Sequence, residues 1–509
     1  MVWCQNNCLS DLGDDSLIIT KELILKDYNK LKFLALKALK KGKHNEAAFY
    51  VTKAASLMYN SNIIYKDDDL EKILNEMNEK LFSEETKIIR LENSKKIVFY
   101  DYFVLDNRGL TEQYLDALIN LDYEILFIGC QKSEKSTEIY KKLERYNIRN
   151  IVIKETDFIK KTQIVEKLIS DFSPSKILAH TSPWDISGLV AIKHFDGICK
   201  RYLINITDHA FWLGVSVFDY FFEFRNYGYN ISCIYRGISK EKLLLLPYYP
   251  IINKDISFQG FNFKTKQKKL ILSGGSVYKL QGSDKFLKIV KHILDTYNDT
   301  IFLFLGNGDF SIFKNFVKKN NFQNCFFYEK ERKDIFEVFK HCYFYLNTYP
   351  LCGGLMTQYA CVAGKIPLTL NDENEHSDND VSELLFGENK KKVQFSSFEE
   401  LINKIDWYIR NPRELEIDSK NINNVIITSE KFTNYLKEYL ELSKNQIRFV
   451  TYDIDINKFM EQYISRFNES KMTYYSIFMD RKFRTLNTFL IYFLRYFICK
   501  ICRWAKRNI

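Results

Sequence analysis

From Lys95 to Leu370 the chain alternates short β-rich runs with amphipathic stretches, and it does so twice. "KKIVFYDYF", "YEILFIG", "RNIVIKE", "SKILAHT", "RYLINIT" and "SCIYRGI" make a first series, with amphipathic segments such as Leu110 to Leu121 and Phe158 to Phe172 between them. "LLLLPYYPIINKDISFQGFNFKTKQ", with two prolines and a polar end, interrupts the pattern as a connection. A second series follows in "KKLILSGG", "TIFLFLGNG", "NCFFYEK", "CYFYLNT" and "KIPLTL". Strands that alternate with helices pair in parallel and are covered on both faces, so they read as nearly continuous apolar runs. The expected fold class is α/β, with two Rossmann-like doubly wound domains in succession. Ligands of such sheets bind outside the carboxyl ends of the strands, so the cleft between the domains is the expected site.

At 509 residues the chain exceeds one ordinary core. Four parts are expected: an N-terminal α-helical domain over 1–92, the first Rossmann-like domain over 93–255, the second over 256–440, and a C-terminal helical segment over 441–509. Within the first, "LKFLALKALKKGKHNEAAFYVTKAASLMYN" reads as two helices around Gly42, with Leu34, Ala38 and Leu39 on one and Ala47, Val51, Ala54 and Ala55 on the other. It looks like a single tetratricopeptide-type hairpin; a self-supporting array needs about three repeats, so a small helical domain is expected and peptide binding stays open.

Hydrophobic residues at 46% and charged residues at 27% mark a globular chain. Eleven cysteines scattered without regular spacing favour a reducing compartment and argue against a disulfide framework or structural zinc. The start "MVWCQNNCLSDLGDDS" lacks the basic and apolar regions of a secretory signal, and no apolar run reaches the ~18–20 residues of a membrane span. A cytoplasmic location is expected.

Eight of the Lys and Arg residues, and no Asp or Glu, lie between Arg481 and Ile509, so most of the net +10 is local and gives no reason to expect nucleic acid. On a helical wheel Arg481, Arg484, Arg495, Lys500, Arg503, Lys506 and Arg507 fall within an arc of about 160°, while Leu486, Leu490, Phe493, Leu494, Phe497, Ile498, Ile501 and Trp504 fill the other side. This basic amphipathic helix either lies on an anionic membrane surface or docks on the protein's own core with its cations solvated. The first is the expectation adopted: residues 481–509 hold the protein peripherally on the inner face of the membrane.

Three turns lie at one edge of the second domain. Gly274 and Gly275 follow a strand, with Lys279 ahead of the next helix; Gly306 and Gly308 end another strand in "LGNGD"; and Gly353-Gly354 opens a helix in "NTYPLCGGLMTQYACVAGKIPLTL". A helix N-terminus presents free N–H groups and positive potential to phosphate, and glycines let the backbone come close. The alternative is a tight strand-to-helix turn with no ligand. Together on one edge, the three turns suggest a bed for a nucleoside diphosphate.

The order of these motifs is similar to the carboxyl-terminal half of GT-B-fold glycosyltransferases. The resemblance covers roughly 95–440 in architecture and is specific between about 273 and 370. It implies that a sugar nucleotide lies against the second domain and the acceptor against the first. Gly353, Gly354, Leu355 and Thr357 would then donate to the diphosphate from backbone or hydroxyl, and Lys279 would stabilise the departing nucleoside diphosphate. Gly274, Gly275, Gly306 and Gly308 would line or support that bed, and Tyr328 and Glu329 would sit by the base and ribose. A UDP-sugar donor is favoured, with no other cofactor and no metal. The pairs Asp378-Asn379-Asp380 and Asp453-Ile454-Asp455 follow no strand in the place a metal site would use. Many retaining members carry an acid about five positions ahead of the glycine of the AxGxP segment; here Tyr359 stands there, beside Gln358, and the Glu375/Glu383 spacing comes after Pro367. The departure points to inversion.

An inverting transfer needs a base to take the acceptor's proton. "LINITDHAFWLG" puts Asp208 and His209 at a strand end, followed by Phe211 and Trp212. "YDYFVLDNRGLTEQY" puts Asp106, Asn107, Arg108 and Gly109 at another, and "AHTSPWD" supplies His180, Ser182, Trp184 and Asp185 at a third. Each stretch is also ordinary turn and cap chemistry. His209, Asp208 and Asp106 are the catalytic candidates. The function expected is a glycosyltransferase of the hexosyltransferase type acting on a glycan or lipid-linked acceptor in surface polysaccharide assembly. The alternatives are a non-catalytic relative that binds a partner through its helical domain, and a sugar-nucleotide epimerase.

Overall fold

A computed structural model describes residues 18–82, 95–106, 110–131, 136–253, 255–265, 267–372, 390–422, 426–442, 447–451, 453–469, 471–483 and 486–508. Asn107 to Gly109, Glu375, Asp378 to Asp380, Glu383 and Arg484 lie outside the described residues.

Two parallel sheets carry the chain's centre. The first contains β1 (Lys96–Asp101), β2 (Glu124–Gly129), β3 (Arg149–Val152), β4 (Lys176–His180), β5 (Lys200–Ile204), β6 (Tyr220–Glu223) and β7 (Leu243–Leu245), in the order β3-β2-β1-β4-β5-β6-β7. The second contains β8 (Lys269–Ser276), β9 (Thr300–Asn307), β10 (Phe326–Lys330), β11 (Phe344–Leu346), β12 (Pro367–Leu370) and β13 (Gln394–Phe395), in the order β10-β9-β8-β11-β12-β13. Strand order reverses between β1 and β4 in one sheet and between β8 and β11 in the other, the crevices where doubly wound sheets bind ligands. The apolar runs are explained by two-sided cover: on β1, Val98 and Tyr100 enter one core while Ile97 and Phe99 enter the core on the opposite face.

The helical parts are not separate from this frame. Helices α1 (Lys21–Lys40), α2 (His44–Ser61) and α3 (Asp68–Leu81) share a core with the first sheet, and the hairpin around Gly42 expected from the sequence is α1–α2. Buried Glu71 of α3 accepts the N–H groups of Gly214, Val215 and Ser216 and the hydroxyl of Ser216, tying the helices to the first domain. The C-terminal segment returns to the same body: Asn468 bonds to the backbone of Ile19 in both directions, and the hydroxyls of Tyr474 and Tyr492 both donate to buried Asp27. The helix Ser429–Leu442, within 256–440 by sequence, packs Phe432, Leu436, Tyr439 and Leu440 into the first domain's core, because its apolar stripe finds the uncovered face of β6 and β7 there.

Three strand expectations need correction. "SCIYRGI" is not a strand; Ser232 to Ile234 end the helix Asn226–Ile234 and the rest turns away. The sixth and seventh strands are instead the short β6 and β7, the latter inside the stretch expected to be a connection. In the second domain β8 runs through its glycines, with Gly274 opposite Leu305 and Gly275 opposite Gly306, so these residues belong to the strand and not to a turn after it.

Candidate functional site

The carboxyl edges of the two sheets face each other, and His209 marks the first domain's side. It follows β5, 28% of its side chain is exposed, and its Nδ1 lies 3.3 Å from Asp208 Oδ1. That hydrogen bond places the ring proton on Nδ1 and leaves Nε2 as the acceptor. Burial lowers the imidazole's pKa below its ordinary 6.5, Arg225 and Lys279 lower it further, and Asp208 only partly offsets them, so His209 is neutral at pH 7. Lys279 belongs to the second domain; its field reaches His209 across the cleft.

Asp208 is placed differently from the base the sequence suggested. It is 1% exposed and held by Arg225 through Nε at 2.5 Å and Nη2 at 3.0 Å. Burial alone would raise its pKa; the Arg225 charge and the His209 hydrogen bond overcome this and hold it at about 2. A carboxylate so acidic does not accept a proton near neutrality, so Asp208 orients His209. Arg236, fully buried, donates to the carbonyls of Thr207, Asp208 and Ala210 and so fixes the loop that carries His209. Beneath it Glu223, pushed up to about 7 by burial against the pull of Arg236, accepts from Asn205 and Ser232. The sequence reading passed over Arg225 and Arg236. The signal was there, two arginines within the aromatic run "FFEFRNYGYNISCIYRG", since a buried arginine needs a buried partner.

The second domain presents the helix Gly354–Val362, which follows β11. Asn347, at the end of that strand and 2% exposed, organises the loop: its Oδ1 accepts from the N–H of Gly353 at 2.8 Å and of Thr348 at 3.0 Å, and its Nδ2 donates to Thr357 and Thr369. Thr357 is fully buried and its hydroxyl donates to the Gly353 carbonyl. Two donors expected at the ligand, the Gly353 N–H and the Thr357 hydroxyl, are thus consumed within the loop, because a helix start this deep must satisfy its own polar groups. The first intrahelical bond runs from Thr357 N to Gly353 O, so helix geometry leaves the N–H groups of Gly354, Leu355 and Met356 for an external acceptor. Lys279 stands beside them, its Nζ donating to the Cys352 carbonyl at 2.8 Å. From the other domain Arg225 lies near Cys352, and its buried Nη1 has no hydrogen-bond partner among the described residues.

The remaining candidates fall into supporting places. A β-carbon on Gly306 would lie 1.8 Å from the Gly275 carbonyl, and one on Gly274 2.5 Å from the Leu305 carbonyl, so these glycines serve the close pairing of β8 and β9. Gly308 has φ +118, which only glycine adopts readily. The Tyr328 ring packs on Phe310 and Phe313, while Glu329 lies on the opposite side of β10, 3.8 Å from Arg332. Asp106 accepts from the N–H groups of Glu138 and Ile139, capping the helix Thr137–Arg145, and burial raises its pKa against those bonds. Among the described residues no contact joins it to His209. His180 is fully buried with Nδ1 3.1 Å from Asp101 Oδ1, and Asp185 caps the helix Ile186–Lys193, so neither offers a base to the cleft.

A cavity of about 910 Å³ opens where α2 meets the carboxyl edge of the first sheet, lined by Phe49, Tyr102, Lys161, Trp184 and Asp185 among others. Its Trp184 wall packs edge-on against Tyr59 at 5.4 Å.

No family model matches the sequence, and no curated protein matches it in sequence. Solved structures do match in shape. A glycosyltransferase from Rickettsia africae has TM-score 0.51 at 12% identity over 69% of this chain and 98% of its own. Anabaena Alr3699/HepE, in complex with UDP and glucose, has TM-score 0.53 at 13% identity over 68% and 99%. A mutant of the Thermobaculum terrenum O-GlcNAc transferase has TM-score 0.52 at 12% identity over 88% of this chain and 82% of its own. This chain has the GT-B glycosyltransferase-like fold, two Rossmann-like domains facing each other across a cleft.

Proposed function

We propose that the protein is a glycosyltransferase that moves a sugar from a nucleoside-diphosphate sugar, a UDP-sugar by preference, to a glycan or lipid-linked acceptor. The observation that carries the proposal is the pairing of a cation, Lys279, bonded to the Cys352 carbonyl at the start of the helix Gly354–Val362, with His209, hydrogen-bonded to Asp208 at the end of the first sheet. The diphosphate binds the N–H groups of Gly354, Leu355 and Met356, with Lys279 and the unpartnered Nη1 of Arg225 as further donors. The acceptor hydroxyl loses its proton to His209 Nε2 and attacks the anomeric carbon, while the bond from that carbon to the diphosphate oxygen breaks. The electron pair leaves with the diphosphate, where the helix end and Lys279 meet the growing charge. A single displacement inverts the anomeric centre, and the positive charge it needs comes from the chain without a metal. The aromatic and polar cavity beside Trp184 admits the acceptor. The HepE structure, in complex with UDP and glucose, supports the choice of uridine on a fold of this kind.

Calorimetric or thermal-shift titration with UDP, GDP, CMP, TDP and their sugar conjugates tests the reading. Selective binding of the uridine compounds is expected. Lys279→Met should raise Kd about 10- to 100-fold, the size of a charged hydrogen bond of about 1.5–3 kcal/mol, and Lys279→Arg should recover part of the loss. A wild-type protein that binds none of these nucleotides would remove the donor site and leave a partner-binding relative of the fold.

A further inference from the structure

Among its described side chains, the C-terminal helix Asn487–Asn508 is docked by one face. Phe489, Tyr492 and Phe493 are buried; Phe489 stacks on Phe478 at 4.8 Å and the Tyr492 hydroxyl donates to Asp27 at 2.8 Å. The sequence placed Phe493 with the outward apolar residues and left Phe489 and Tyr492 unassigned, so the docked face is one that the wheel did not separate. The face turned away from the core carries Leu490, Ile491, Leu494, Phe497, Ile498 and Ile501, which are 48–65% exposed. These are six of the sixteen exposed large apolar side chains among the described residues, gathered on one helix. At 100° and 1.5 Å per residue they form a ridge spanning an arc of about 120° and a length of about 16 Å.

A ridge of this size in water is a surface waiting for cover. Its flanks say which cover fits. Arg495 lies beyond one edge of the arc and Lys500 beyond the other, and no acidic residue occurs from Arg481 to Ile509. A second copy of the chain would bring a second basic segment against the first, which repels. An uncharged apolar partner would leave the cations without a counterpart. An anionic lipid surface meets both features, taking the ridge into the acyl boundary and the cations among its headgroups. Among the described residues no helix is long and apolar enough to cross a membrane.

We propose that the ridge Leu490 to Ile501, flanked by Arg495 and Lys500, seats the protein in the plane of an anionic membrane while the buried face of the same helix keeps it rigidly joined to the N-terminal helices. The inference is independent of the sugar-transfer reading. Flotation of the full chain with vesicles tests it. Vesicles of equal parts phosphatidylglycerol and phosphatidylcholine should carry the protein, and phosphatidylcholine alone should not. The triple variant Leu494→Glu/Phe497→Glu/Ile501→Glu changes only exposed positions, so it should keep the wild-type melting temperature and lose vesicle partition at least tenfold. Arg495→Glu/Lys500→Glu should also lose partition while keeping the ridge. Undiminished partition of the folded triple variant would overturn the proposal. So would a wild-type chain that ignores anionic vesicles, or one that forms a dimer the triple variant abolishes.

Discussion

His209→Ala lowers kcat about 10²- to 10⁴-fold, the range a positioned general base contributes, and leaves the affinity for UDP unchanged. The split follows from the geometry. His209 takes part through its Nε2, whereas the proposed diphosphate donors are other groups: Lys279 and the start of the helix Gly354–Val362 in the second domain, and Arg225, whose bidentate hold on Asp208 does not depend on His209. His209→Gln is the sharper test, because an amide can still donate to Asp208 but cannot hold a proton taken from an acceptor. Its turnover should fall as far as that of the alanine variant. The pH profile adds a signature. Burial holds the wild-type imidazole below its ordinary 6.5, so kcat/KM should be level near neutrality and fall only as the pH drops below that value. That acid limb should vanish from the residual activity of both variants. Wild-type turnover in His209→Gln would remove the residue from the chemistry.

Much of this was legible in the sequence, for a physical reason. Strands covered on both faces, such as "KIVFYD" and "IFLFLGN", are continuous apolar runs ended by Gly, Asp or Asn, and those ends lie at the ligand edge. The candidates His209, Lys279 and Gly354 could therefore be placed at that edge by position alone. The region from Tyr220 to Leu245 was harder. Its strands are four and three residues long, and the Asn, Gly and Ser residues of its aromatic run, which read as turn residues, lie inside the helix Asn226–Ile234. "SCIYRGI" carries the β-branched and aromatic residues of a strand yet closes a helix, a case of tertiary packing deciding against propensity. The same region hides Arg225 and Arg236, whose partners in the His209 loop lie 17 to 29 residues away in sequence. Spacing rules see pairs one helical turn apart and not these. For Gly353 and Thr357 the motif gives the place at the helix start but not the use of their polar groups, which Asn347 and the Gly353 carbonyl take up in building that start.

The largest stability effect should come from Arg225→Met. Asp208 is 1% exposed and Arg225 supplies its bidentate partner, so removing the guanidinium strands a buried carboxylate, at a cost of about 3–5 kcal/mol. The pH dependence identifies the cause. In the wild type the folded-state pKa of Asp208, about 2, lies below the ordinary 3.8; the pair's contribution is present above 3.8 and lost as the pH falls towards 2. Without Arg225 burial dominates, the folded-state pKa moves above 3.8, and the sign reverses: the variant loses stability as the pH rises from 3.8 through the raised folded-state pKa. Urea unfolding at about pH 4 and about pH 7 should therefore show a larger deficit at the higher pH. Asp208→Asn/Arg225→Met removes both charges and should recover a substantial part of the loss, since replacing a buried pair by uncharged residues costs much less than breaking it. The double variant should nevertheless remain slow in turnover, because an asparagine in place of Asp208 no longer fixes the His209 tautomer. A deficit equal at both pH values, or a double variant as unstable as the two single losses added, would mean that Arg225 stabilises the loop by packing on Phe224 and Tyr227 and not by holding the carboxylate that orients the base.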